Sequence, residues 1–139
     1  MMRFLTALLF ALVILPAGAQ AQQGQARDPV FNWVRYAVGT QPLRLYHAGH
    51  VRIDCEPMGE IRMVLPLAPQ NGTVEAVPSM DFVNYGNEEP YKKCSARRTR
   101  GVTVTYKARE GYRGPDKFSF LLVYSDGTSR RYNVEMTVY

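Results

Sequence analysis

His47-Ala-Gly-His50 holds the two histidines of the chain, and the pair invites a metal reading because imidazole is a common ligand. No cysteine or carboxylate cluster completes a ligand set there; only Asp54 and Glu56 follow closely. The pair therefore reads as a turn with two exposed histidines, and no metal is expected. Nucleophilic chemistry finds little support either. The chain has no Gly-x-Ser-x-Gly elbow, no His-Glu-x-x-His and no glycine loop of the kind that cradles phosphate. Ser79, Ser95, Ser119, Ser125 and Ser129 stand without a recognisable base arrangement, and the carboxylates are scattered. Neither catalysis nor a cofactor is expected.

Binding chemistry has a better candidate. Tyr91-Lys-Lys-Cys-Ser-Ala-Arg-Arg-Thr-Arg100 places five basic residues in ten positions. Lys92, Lys93, Arg97, Arg98 and Arg100, with Tyr91 beside them, suit an anionic surface: an envelope glycan, a lipid headgroup or an acidic protein. The competing reading is a solvated loop whose charge Glu88 and Glu89 offset. Irregular loops on a rigid frame commonly carry function, so this stretch is the first place to look. Asn71-Gly-Thr73 matches a glycosylation acceptor, and equally a tight turn; the turn is the more economical reading.

The two cysteines, Cys55 and Cys94, take their meaning from the N-terminus. Met1-Met-Arg3 is a short positive start, residues 4–15 are almost wholly apolar, Pro16 breaks the run, and Ala19-Gln20-Ala21 fits the small-x-small cleavage rule. Residues 1–21 read as a secretory signal peptide, 22–28 as a flexible leader and 29–139 as one domain. The apolar run is short for a bilayer span, and no second run of spanning length follows. In an oxidising compartment Cys55 and Cys94 should join, closing a loop of about 40 residues for which chain entropy predicts roughly 4 kcal/mol of stabilisation. Without Arg3 the chain carries 16 Lys or Arg against 12 Asp or Glu, a formal +4. That balance suits an exported protein with a mild preference for anionic partners and is too small to imply nucleic acid.

The elements that must position these residues are strands. Val102, Val104 and Tyr106 alternate with Thr103, Thr105 and Lys107; Tyr132, Val134, Met136 and Val138 alternate with Arg131, Asn133, Glu135 and Thr137. Period-two alternation predicts strands with one buried face. Asp126-Gly127 between apolar runs predicts a hairpin, so the chain is expected to end in three antiparallel strands. Upstream, residues 30–38 predict a first strand carrying Trp33. Leu43, Leu45, Val51 and Ile53 suggest strand segments interrupted at Ala48-Gly49. Residues 61–67 predict a strand that Pro66 confines to an edge or ends. Residues 73–77 and 80–85 read as two further strands, and 86–100 as the longest irregular segment. No long amphipathic helix and no internal repeat are visible.

Pro69-Gln-Asn-Gly-Thr-Val74, Val104-Thr-Tyr106, Gly111-Tyr-Arg-Gly-Pro-Asp-Lys-Phe118, Phe120, Asp126-Gly127 and the spaced Val134 and Val138 together resemble the bacterial cadherin-like and immunoglobulin-like repeats. The resemblance runs from Pro69 to Val138. It implies an immunoglobulin-like antiparallel β-sandwich of about seven strands. Within it Gly111 and Gly114 would permit a tight crossover, Tyr112 would cover an open end, Asp116 would accept backbone N–H groups, and Phe118 and Phe120 would enter the core. Ala108 stands where the pattern usually has proline, the family occurs in tandem arrays whereas one copy is present here, and the acidic calcium linkers of cadherins are missing. The Cys55–Cys94 bond also differs from the inter-sheet bridge of antibody domains.

The expected protein is thus a small, monomeric, non-catalytic binding or structural module of the cell envelope. It would be exported to the bacterial periplasm or cell surface, and would meet an envelope protein or an anionic glycan or lipid. The alternative is an envelope enzyme or enzyme inhibitor.

Overall fold

The computed structural model describes residues 28–139; the signal-peptide reading and nearly all of the leader lie outside that range. Seven strands follow in order: β1 (Val30–Ala37), β2 (Leu43–Gly49), β3 (Arg62–Leu67), β4 (Gly72–Phe82), β5 (Arg98–Ala108), β6 (Gly114–Val123) and β7 (Ser129–Val138). A 3₁₀ helix, Tyr91–Ala96, precedes β5. Among the described residues no helix is long and apolar enough to cross a membrane.

The strands form two sheets, one ordered β1-β7-β6-β3 and the other β2-β5-β4. Alternation decides what lies between them. Val102, Val104, Tyr106 and Ala108 of β5 are buried, as are Phe118, Phe120 and Leu122 of β6 and Tyr132, Val134, Met136 and Val138 of β7. One core joins both sheets, and within it the rings of Tyr106 and Phe118 stack with centroids 5.3 Å apart. Trp33 is half-buried at the β1 side, 4.6 Å from the Tyr132 ring, with the Arg35 guanidinium 4.5 Å above it.

Four sequence expectations change. The last three strands do not form one antiparallel set: β6 and β7 make the hairpin around Asp126-Gly127, while β5 lies in the other sheet between β2 and β4. The alternating pattern gives each strand a buried face, and a buried face is equally satisfied from across the core. Nor is the pairing wholly antiparallel, because β1 runs parallel to β7 along its full length. Parallel neighbours need a long connection, and almost the whole domain lies between these two. Residues 73–77 and 80–85 are not two strands either; β4 runs unbroken through Pro78. As the outer strand of its sheet, β4 tolerates a residue that lacks a ladder donor. β3 is likewise outermost, as Pro66 predicts.

The break expected within residues 43–53 falls later. β2 continues to Gly49, beyond which Val51 makes only an isolated bridge to Pro57 and Ile53 is exposed. β5 passes close to β2 here: a Cβ on Gly101 would stand 1.9 Å from the Ala48 carbonyl oxygen, so only glycine fits. The crossover from β5 to β6 uses positive φ at Gly111 and Gly114, 72° and 128°. Asp116, buried at its exit, accepts the backbone N–H of Gln70 and of Asn71, each over 3.0 Å. The carboxylate thus fastens the β3–β4 turn, a longer reach than the local role expected of it. Asn71 Oδ1 accepts from Arg109 over 2.8 Å, which makes the side chain part of that turn.

A tyrosine-walled candidate site

At one end of the sandwich three segments meet: the chain leaving β2 through Gly49–Val51, the segment 83–91 after β4, and the β6–β7 hairpin. They line an open cavity of about 190 Å³. Tyr46 comes from β2, Tyr85 and Tyr91 from the segment after β4, and Tyr124 from the start of the hairpin. Polar walls are supplied by His50, Glu88, Asp126 and Arg130.

The wall holding Tyr85 and Tyr91 is fixed locally by a series of bonds. The Tyr85 backbone N–H donates to Ser95 Oγ over 3.0 Å, and its phenol donates to the Gly49 carbonyl over 3.3 Å. Glu88 N–H donates back to the Tyr85 carbonyl and Lys92 N–H to that of Glu88. The two rings lie 5.7 Å apart. Cys94, buried in the 3₁₀ helix, is bonded to Cys55, whose φ of 71° is unusual for a non-glycine residue and places it at the corner of the 52–56 turn. The disulfide expected from the cysteine count is therefore present, and it ties this wall to the loop after β2.

The opposite wall carries His50, Asp126 and Arg130. His50 Nε2 stands 3.5 Å from Asp126 Oδ2, and the His50 ring meets Tyr124 edge-on at 5.3 Å. His50 Nδ1 is buried with no hydrogen-bond partner among the described residues. Asp126 also accepts the N–H and the hydroxyl of Thr128, which holds its carboxyl below the usual range. The Arg130 guanidinium lies 5.6 Å over the Tyr124 ring, and among the described residues no carboxylate is within ion-pair distance of it. Burial pushes the Tyr124 phenol up to about 12 and also raises that of Tyr85, so both remain neutral hydrogen-bonding groups at neutral pH.

The residues singled out in the sequence do not stay together. Tyr91 lines the cavity. Lys92 and Lys93 lie exposed on the 3₁₀ helix. Arg97, Arg98 and Arg100 line a separate open groove with Cys55, Glu56 and Met80, and Arg98 donates to the Met80 carbonyl over 2.7 Å. The stretch is also less irregular than expected, since helix and β5 occupy most of residues 91–100. Sequence reasoning placed Tyr85 at the start of the binding loop 85–100 but missed Tyr46, Tyr124 and Arg130, which stand far apart along the chain. The available signal was nine tyrosines in a short chain, several of them near strand ends.

A second polar cluster involves the other histidine. His47 is buried on β2 rather than exposed on a turn. Its Nδ1 is 3.1 Å from Thr103 Oγ1 and 3.1 Å from Ser79 Oγ, and the two hydroxyls are 2.8 Å apart. A serine does therefore meet a histidine. In a nucleophilic triad, however, the imidazole stands between hydroxyl and carboxylate, with one on each nitrogen. Here both hydroxyls share Nδ1, and Nε2 has no partner among the described residues. Among the described residues no group of three or more metal-ligating side chains comes together.

Comparison with protein-family models, with curated proteins and with solved structures finds no match to this chain.

Proposed function

We propose that this protein is a small exported binding module of the bacterial cell envelope, built on an immunoglobulin-like sandwich and acting by contact rather than by catalysis. The strand orders support the fold reading. β2-β5-β4 faces β3-β6-β7, the arrangement of strands B, E, D against C, F, G in immunoglobulin domains, with β1 added beside the last strand. Cadherin-like character rests on the Gly111 to Phe118 run, whose glycines and Asp116 sit at the crossover and whose Phe118 is in the core. Export is supported by the apolar residues near the N-terminus and by the Cys55–Cys94 bond, which suits an oxidising compartment.

One observation carries the functional reading. The segment 83–91, tied through the 3₁₀ helix to the Cys55–Cys94 disulfide, forms a fixed wall of a tyrosine-lined cavity at an end of the sandwich, where loops on this kind of frame commonly bind. The partner is an envelope protein or an anionic glycan or lipid, met by the cavity or by the exposed Lys92 and Lys93 and the separate groove of Arg97, Arg98 and Arg100. The test is capture from envelope extract by the purified monomer, beside a Tyr91→Ala variant and a variant with Lys92 and Lys93 changed to Glu. Recovery of a component that either variant loses supports the reading, and recovery of nothing by the wild type removes it.

A further inference from the structure

The cavity has the composition of a site for one neutral sugar ring, and we propose that it holds a single pyranose-sized unit of a glycan. The inference rests on the binding-module reading and names its ligand class. Size comes first. A volume of about 190 Å³ is below that of sites for drug-sized ligands, about 300–1,000 Å³. It equals the liquid volume of roughly six waters, enough for one six-membered ring and its substituents.

Charge then separates the ligand classes. Several tyrosines around a small space would suit a quaternary ammonium, because aromatic faces attract cations. Arg130, however, lines the same cavity and already covers the Tyr124 face. A bare anion suits Arg130 but meets Asp126 and Glu88 in the same lining. Neither net charge is favoured, whereas a polyhydroxylated neutral ring uses both signs at once.

The hydrogen-bonding groups fit that ring. Each sugar hydroxyl is both donor and acceptor. Arg130 supplies N–H donors, the tyrosine phenols supply O–H groups, and Asp126 and Glu88 supply acceptors. The aromatic walls meet the remaining surface of the sugar: the ring C–H groups carry partial positive charge and lie against the negative π faces. Tyr85 and Tyr91, with ring centroids 5.7 Å apart, both line the cavity.

The test is NMR titration of the full secreted chain with glucose, galactose and N-acetylglucosamine, with choline and acetate as comparison ligands. Expected are saturable shifts at the tyrosine, His50 and Arg130 signals with at least one of the sugars. Tyr91→Ala should weaken that binding roughly tenfold, the loss of one aromatic contact of about 1.4 kcal/mol. Arg130→Gln should weaken it similarly, and melting curves must show both variants folded. Saturation by choline or acetate with no response to the sugars overturns the inference, as does no response to any of the five. Its failure is distinct from that of the binding-module reading: an envelope component still captured in the presence of excess monosaccharide leaves the module intact and removes only the sugar.

Discussion

The phenol of Tyr106 donates to Oδ2 of Asp116 over 3.0 Å, joining β5 to β6 where the chain passes from one sheet to the other. Burial, then the bond and the negative charge of Asp116, push the phenol well above its ordinary range, so it stays protonated and a donor. The same carboxylate accepts the two N–H groups of the β3–β4 turn.

Asp116→Ala therefore leaves four donors without this acceptor: the Tyr106 phenol and the backbone N–H groups of Gln70, Asn71 and Lys117. Each buried orphan costs about 1–3 kcal/mol, so a loss of roughly 3 kcal/mol or more is expected in urea unfolding. Tyr106→Phe removes one bond to a charged group and should cost about 1.5–3 kcal/mol. The two changes share a bond, so the double variant should lose less than their sum. Strict additivity, or a near-neutral Asp116→Ala, means the carboxylate does not hold the crossover.

Phe118 is the core neighbour of that bond, 1% exposed and stacked on Tyr106. Phe118→Ala should cost about 3–5 kcal/mol through lost burial and the cavity left behind. A thermal shift corresponding to less than about 1 kcal/mol would place the ring outside the core and overturn the β6 register.

The strands were legible because alternation is a local property: the β6–β7 hairpin and the edge position implied by Pro66 both follow from short-range pattern, while the core entry of Phe118 came from the resemblance. Which sheet a strand joins is not local. Residues 101–107 read the same whether paired with β6 or facing it, and residues 30–38 carry no mark of a parallel neighbour. The candidate cavity was illegible for the same reason, since Tyr46, Tyr85 and Tyr124 converge only once both sheets are assembled. The basic run touches the candidate cavity only through Tyr91, while Arg97, Arg98 and Arg100 line another groove.

The Cys55–Cys94 bond spans a sequence separation of 39. Cys55→Ser should lower stability by roughly 4 kcal/mol under oxidising conditions, the chain-entropy value for such a loop. In reductant, variant and wild type should unfold alike. Because Cys94 lies in the helix that carries Tyr91, the variant should also weaken any ligand held by the tyrosine wall. Equal destabilisation in both redox conditions would mean that the serine, not the missing bond, is responsible.

His47 gives the protein a pH dependence with a defined sign. Burial pushes its pKa below the ordinary 6.5; Asp81 opposes that shift and Arg44 adds to it. The unfolded chain therefore takes up the proton first as pH falls. Above about pH 6.5 the ring is neutral in both states and its contribution is intact; below that value stability drops as pH moves through the lowered folded pKa. The wild-type melting temperature should decline between about pH 7 and pH 5, and His47→Gln should flatten that decline. Asp54, Asp81 and Asp126 are held below 3.8 and act at lower pH, and His50 is common to both proteins, so the difference between the curves isolates His47. A variant whose melting temperature falls as steeply as the wild type over that interval would show that His47 is not the group responsible.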